Sequence, residues 1–202
     1  MKIGILGGTF DPPHIGHLVI ADQARMQLGL DQVWFTPVGQ PPHKDGARVS
    51  GAQHRVNMAR LAIGGHLGFD VCLVDVQRPA PHYTVDLFVV LRSMFPQHEF
   101  SFIIGADSLI DLPKWQRPAQ LLSLAKIAVA HRPKYQPDLA DLEKHLPGIG
   151  ARIAWVDTPL TDLSSNDLQR RAREGLPLRY VVTRDVAEYI RENNLYVEAV
   201  EA

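Results

Sequence analysis

Two histidines three residues apart, His14 and His17, close a glycine-rich string, Gly7-Gly8-Thr9-Phe10-Asp11-Pro12-Pro13-His14-Ile15-Gly16-His17. The string follows a strand-like apolar run, Ile3 to Leu6, and enters a helix-like segment, Ile15 to Leu28, with Gly29 as its stop. Glycines let a backbone approach a ligand and take up angles that other residues resist. A helix N-terminus offers free N–H groups and a partial positive charge, which together favour an anion. Residues at i and i+3 share a helix face, so both imidazoles can donate hydrogen bonds to that anion. Phosphate is the best candidate. Each part also has an ordinary reading: a cap, a tight turn, or two ligands of a metal. Spacing positions no third ligand to complete a metal site. The whole string is much more specific than any of its parts.

Other segments carry weaker signals. Gly105-Ala106-Asp107-Ser108-Leu109 follows a strand-like run, and Lys114-Trp115 comes shortly after. Asp107 can accept hydrogen bonds from ribose hydroxyls or cap a helix. Trp115 can stack on a base or pyridine ring, or fill a core. Thr84, in Pro81-His82-Tyr83-Thr84-Val85-Asp86, reads as a helix N-cap. Ser164-Ser165-Asn166-Asp167-Leu168-Gln169-Arg170-Arg171 reads as a cap leading into a basic helix. Ser is commonplace at such caps, and helix arginines are usually solvated.

These residues need a frame to bring them together. Short β-branched runs recur at Ile3–Leu6, Val33–Thr36, Val71–Val74, Phe100–Ile104, Ile127–Ala130 and Ile153–Val156. Continuous apolar strands indicate burial on both faces, as in parallel sheets. Helix-like segments lie between them at Ile15–Leu28, Val56–Ile63, Val85–Phe95 and Val186–Arg191. Alternating strands and helices predict one doubly wound, Rossmann-like α/β domain over 1–202, with a mostly parallel sheet of five or six strands. In a sheet ordered 3-2-1-4-5, the loops leaving strands 1 and 4 face one crevice at the topological switch point, where ligands bind. There is no Walker-type phosphate loop, no G-x-G-x-x-G and no G-x-S-x-G.

Composition narrows the class further. The chain has 202 residues, 46% hydrophobic and 21% charged, and 21 Lys plus Arg against 22 Asp plus Glu give a net charge of -1. That excludes a strongly basic nucleic-acid binder, though not a local basic patch. The lone cysteine, Cys72, excludes an intramolecular disulfide framework and fits a reducing compartment. No apolar run approaches the roughly 20 residues of a membrane span, and no signal peptide is evident. The expectation is a soluble cytoplasmic protein without nucleic-acid or membrane partners. A homo-oligomer is compatible with the sequence, which does not set oligomeric state.

The string Gly-Gly-Thr-Phe-Asp-Pro-x-His-x-Gly-His resembles the opening motif of the nucleotidyltransferases with a paired-His (H-x-G-H) pattern. The likeness is greatest to the bacterial nicotinate-nucleotide adenylyltransferases and covers essentially the whole chain. Gly105-Ala106-Asp107-Ser108-Leu109 and Lys114-Trp115 match that family, in which the Trp flanks the nicotinate ring. Its Ser-Tyr-Thr-x-Asp-Thr-Leu segment, which helps hold nicotinate, is similar to His82–Phe88, with His82 for Ser and Leu87-Phe88 for Thr-Leu. Its Ile-Ser-Ser-Thr-x-Ile-Arg-x-Arg, which binds ATP phosphates, is similar to Leu163–Arg171, with Asn166 for Thr and Gln169 at the first Arg. Arg171 matches the second Arg, and Lys44 and Arg132 also fall on family positions.

The resemblance implies adenylyl transfer from ATP to nicotinate mononucleotide, giving deamido-NAD and pyrophosphate. It implies His14, His17 and Lys44 as catalytic groups. Gly7, Gly8, Thr9, Phe10, Gly16, Gly105, Asp107, Ser164, Ser165 and Arg171 would hold ATP. Thr84, Trp115 and Arg132 would hold the mononucleotide. Mg²⁺ would ride on the ATP phosphates, with no protein metal site. Two alternatives stand beside this: an adenylyltransferase of the same fold using another substrate, such as nicotinamide mononucleotide, and a non-catalytic nucleotide sensor.

Overall fold

In the computed structural model, which describes residues 1–40, 49–131, 134–159 and 162–197, the apolar runs pair into one six-stranded sheet. The strands are β1 (Lys2–Gly8), β2 (Gln32–Pro37), β3 (Phe69–Val71), β4 (Glu99–Gly105), β5 (Lys126–Ala130) and β6 (Ile153–Val156). Their order is β3-β2-β1-β4-β5-β6, and every neighbouring pair is parallel. The expected 3-2-1-4-5 order therefore holds, with β6 added at the edge. The helices are α1 (Ile15–Gln27), α2 (Ala52–Ile63), α3 (Val74–Gln77), α4 (Thr84–Met94), α5 (Ala106–Asp111), α6 (Pro118–Leu124), α7 (Leu139–His145), α8 (Ser165–Arg173) and α9 (Arg184–Glu192). Among the described residues no helix is long and apolar enough to cross a membrane.

Side chains alternate across a strand, so an unbroken apolar run must feed two cores. On one face, Ile3, Ile5, Phe102, Ile104, Ile127 and Val129 pack against Phe88 and Leu91 of α4, Leu109 of α5 and Leu121 of α6. On the other, Leu6, Phe35, Ile103, Ala128 and Val156 pack against Ala21 and Ala24 of α1. A third cluster joins Met58 and Ala62 of α2, Leu168 of α8, and Val186 and Ile190 of α9. The helix after β1 thus lies on one face and the helix after β4 on the other. That reversal between neighbouring strands is the switch point, and it opens at their carboxyl ends.

The strand expected at Val71–Val74 is displaced. The Cys72 N–H still donates to the Phe35 carbonyl, at 2.9 Å. Leu73 then adopts helical angles and α3 begins. The cause is Asp75, whose buried carboxylate accepts the Gly39 N–H at 2.9 Å and the Arg78 Nε–H at 2.7 Å. The helical turn of α3 lets the one carboxylate reach both donors. The helices α6 and α7 were not anticipated, being only seven residues each. Gly29 follows α1 at φ 59, as expected of a stop.

The sheet is tightly packed at Gly4. A Cβ there would lie 2.8 Å from Cδ1 of Ile103 and 2.8 Å from Cδ1 of Leu30. Gly4→Ala is therefore expected to destabilise the fold by about 1–3 kcal/mol, as overpacking does. Denaturant unfolding checks it, and an unchanged midpoint would contradict the packing described.

Candidate active site

The connection from β1 to α1 is built around a buried ring. Phe10 has φ 52, rare for a non-glycine residue, and is 1% exposed. Its ring meets His17 edge-on at 5.1 Å and tilts against Phe35 at 5.6 Å. Gly8 makes room for it, since a Cβ there would stand 3.1 Å from Cζ of Phe10. A Cβ at Gly7 would be in ordinary contact with Phe102, at 3.4 Å, so crowding does not explain that glycine.

His14 is the N-cap of α1 and His17 lies in its first turn. Their rings stack at 3.7 Å, so the structure brings the pair together on one face. The His14 N–H donates to Nδ1 of His17 at 3.1 Å, and the His17 N–H donates to the His14 carbonyl at 2.9 Å. With Nδ1 accepting, a neutral His17 carries its proton on Nε2, a tautomer assigned from the hydrogen bonding. One helix-end donor expected to be free is taken: the Ile15 N–H donates to the Val181 carbonyl at 3.0 Å.

The connection is held from behind by residues that sequence reasoning missed. Arg55 of α2 is 1% exposed and spends its guanidinium on backbone carbonyls. Nε donates to Ser50 at 3.0 Å, Nη1 to Thr9 at 3.1 Å and Val38 at 2.6 Å, and Nη2 to Gly39 at 2.7 Å. Burial pushes its pKa down, opposed by the nearby carboxylates of Asp11 and Asp75. Asp11 is fully buried; its carboxylate accepts the Ser50 N–H at 3.0 Å and the Tyr196 hydroxyl at 2.6 Å. Burial first, and then Asp11, push the Tyr196 pKa far up, so the phenol stays neutral. Helix α8 adds two tethers. Gln169 donates to the Asp11 carbonyl at 2.6 Å and the Ser165 hydroxyl to the Pro12 carbonyl at 2.9 Å. Ser164 caps α8, accepting the Asp167 N–H at 3.2 Å. Nη2 of Arg171 donates to the Pro177 carbonyl at 2.9 Å.

Beside the switch point lies a cavity of about 580 Å³ lined by Val38, His82, Tyr83, Thr84, Asp107, Ser108, Asp111, Lys114, Trp115 and Gln116. It gathers Thr84, Asp107 and Trp115, which lie far apart in the chain. Trp115 is half-buried, edge-on to Phe102 at 6.0 Å. Thr84 is not the N-cap expected. Tyr83 holds that position and Thr84 is the first helical residue, because the extended angles fall one residue earlier. Gly105, not Asp107, is the N-cap of α5, and Asp107 lies in its first turn. Gly16 is buried in the first turn of α1. Lys44 and Arg132 lie outside the described residues. Among the described residues no group of three or more His, Cys, Asp or Glu side chains could hold a metal ion. A second cleft, about 250 Å³ and lined by Lys2, Glu99 and Lys126, lies at the opposite, amino ends of the strands, away from these groups.

Residues 5–171 match the family model described as cytidylyltransferase-like. The chain belongs to the cytidylyltransferase-like family. Among its cytidylyltransferase-like relatives, a protein of Thermomicrobium roseum named "Probable nicotinate-nucleotide adenylyltransferase" is 42% identical over 201 residues, 98% of this chain and 94% of the relative. A protein of Exiguobacterium sibiricum with the same name is 42% identical over 97% of this chain and 99% of its own length. In fold, the chain resembles the Plasmodium falciparum nicotinic acid mononucleotide adenylyltransferase solved with NaAD. That likeness has a TM-score of 0.79, 19% identity, and covers 96% of this chain and 97% of the other.

Two substitutions test how this member of the cytidylyltransferase-like family holds its first connection. Arg55→Met removes every donor while keeping apolar bulk, stranding four carbonyls and leaving Asp11 buried beside no guanidinium. A loss on the order of 3 kcal/mol or more is expected. Tyr196→Phe removes one hydroxyl from Asp11 and is expected to cost about 1–3 kcal/mol, read by thermal or urea unfolding. Wild-type stability in either variant would show that the tethers are incidental.

Proposed function

We propose that this chain transfers the adenylyl group of ATP to nicotinate mononucleotide, giving deamido-NAD and pyrophosphate, a step of NAD biosynthesis. The observation that carries the reading is the stacked His14–His17 pair at the start of α1, together with a pocket that unites Trp115 and Thr84. The full-length relatives named for this activity support it. A single nucleotidyltransferase domain over 1–202 is part of the proposal, supported by one continuous sheet and by relatives that span nearly the whole chain. So is a soluble cytoplasmic setting.

The chemistry is attack by the mononucleotide phosphate on the α-phosphorus of ATP, with pyrophosphate leaving. A phosphate monoester has a second pKa of about 6, so the nucleophile is already mostly dianionic at neutral pH. It needs no general base. The protein has to align two repelling anions and stabilise charge that develops on oxygen. His14, His17 and Lys44, with backbone N–H groups of Gly7 to Phe10 and Gly16, would meet the phosphates. Ser164, Ser165 and Arg171 would border the ATP phosphates, and Gly105 and Asp107 its nucleoside. Trp115, Thr84 and Arg132 would receive the mononucleotide. Mg²⁺ carried on the ATP phosphates would neutralise charge there. No covalent enzyme intermediate is involved.

Trp115 can stack on the pyridinium ring of either the acid or the amide mononucleotide, a cation–π attraction of roughly 0.5–2 kcal/mol that does not discriminate. Selectivity needs donors aimed at both carboxylate oxygens, and backbone N–H groups near Thr84 and Trp115 are suited to this. The amide would leave a donor facing its NH₂, a penalty of about 1–3 kcal/mol per buried group. The acid is therefore expected to exceed the amide by about tenfold or more in kcat/KM. A pyrophosphate-release assay with each mononucleotide checks it, and equal values would refute the substrate. Trp115→Ala should raise KM for both mononucleotides alike and leave KM for ATP nearly unchanged. In the same assay His17→Ala should lower kcat on the order of 10²-fold or more, as loss of a preorganised donor does. Near-normal turnover in the folded variant would remove His17 from the mechanism.

A further inference from the structure

The mononucleotide pocket is assembled from three separate pieces of chain: the exit of β2 at Val38, the turn His82-Tyr83-Thr84 before α4, and the stretch Asp107 to Gln116. Nothing in their sequences makes the first two meet. They are joined behind the pocket by Asp75, a 3% exposed carboxylate that does not line it. Its Oδ2 accepts the Gly39 N–H at 2.9 Å and lies 3.4 Å from Nδ1 of His82. Its Oδ1 accepts Nε–H of Arg78 at 2.7 Å. Arg78 then donates from Nη1 to the Pro81 carbonyl at 2.8 Å and from Nη2 to the Tyr83 carbonyl at 2.9 Å. The His82 ring is pressed against Gly39 so closely that a Cβ there would stand 2.1 Å from its Cε1.

We propose that Asp75 is a positioning residue for the mononucleotide: through Gly39 on one side and Arg78 on the other, it fixes the wall formed by Val38, His82 and Thr84 against which the pyridine ring seats. This rests on the substrate reading above. A buried carboxylate that must satisfy two fixed donors tolerates little displacement. Errors of an ångström in substrate placement are costly. The third piece is tied differently. Asp86 of α4 pairs with Arg117, beside Gln116, but both side chains are partly open to solvent, which screens such pairs. Asp75 therefore governs placement and Asp86 does not.

The test is steady-state kinetics on the full chain, measuring KM for nicotinate mononucleotide and for ATP separately, with thermal unfolding alongside. Asp75→Asn turns an NH₂ toward donors and should raise KM for the mononucleotide on the order of tenfold, leaving KM for ATP within about twofold. Gly39→Ala leaves the Asp75–Arg78 pair in place but displaces His82, and should give the same split. It keeps the test open if Asp75→Asn does not fold. Asp86→Asn should move neither KM by more than about twofold. A fall in melting temperature with both KM values unchanged in Asp75→Asn and Gly39→Ala overturns the proposal and leaves Asp75 a stabilising residue only. Failure of the wild type to use nicotinate mononucleotide refutes the substrate reading instead, and with it this inference.

Discussion

A guanidinium buried this deeply must find its hydrogen bonds in the protein, and Arg55 makes four to backbone carbonyls of three loops. Thr9 belongs to the connection between β1 and α1, Val38 and Gly39 to the exit of β2, and Ser50 to the approach to α2. Burial disfavours the charge, and the carboxylates of Asp11 and Asp75 offset that cost. The charge is tolerable only when the loops stand where they do, so satisfying it fixes them relative to one another. Asp11 extends the constraint to Tyr196 at the far end of the chain, and Asp75 extends it to the turn before α4. The network therefore holds both the connection that carries the histidine pair, through Thr9 and Asp11, and one wall of the Trp115 pocket, through Val38.

This division of labour explains an oddity of the site. The two buried carboxylates among the described residues are used inward. Asp11 and Asp75 both accept hydrogen bonds from buried protein donors. Neither is arranged as a general base, and a dianionic phosphate nucleophile requires none. Rate enhancement then has to come from holding donors and anions at fixed separations in a site that does not reorganise. A rigid inner network is the physical means of doing so, and it accounts for a positive φ at a buried Phe10 that a looser loop would relax.

Much of the frame was legible because it is local. Continuous apolar runs gave parallel strands, their order followed from the doubly wound pattern, and the placement of β1 and β4 located the crevice. The histidine pair was visible through its spacing, and Thr84, Asp107 and Trp115 through their motifs. The inner network was not, because its partners are remote: Arg55 acts on Thr9, 46 residues away, and Tyr196 on Asp11, 185 away. In sequence, Arg55 is one more polar residue near the start of a helix, and Tyr196 falls in none of the motifs. Gln169 did leave a trace, as a departure from the motif where an Arg was expected, and its amide in fact anchors the Asp11 carbonyl. The end of β3 was hidden for a similar reason, since the buried partner that Asp75 finds from α3, Gly39, is 36 residues away.

Direct transfer between two aligned phosphates has a stereochemical signature. The measurement is the configuration at the α-phosphorus when the chain converts a single diastereomer of adenosine 5′-(1-thiotriphosphate), with nicotinate mononucleotide, into the phosphorothioate dinucleotide. A single in-line displacement in a site that only positions and stabilises predicts inversion. Retention would mean two displacements through an adenylylated side chain, and would contradict the account.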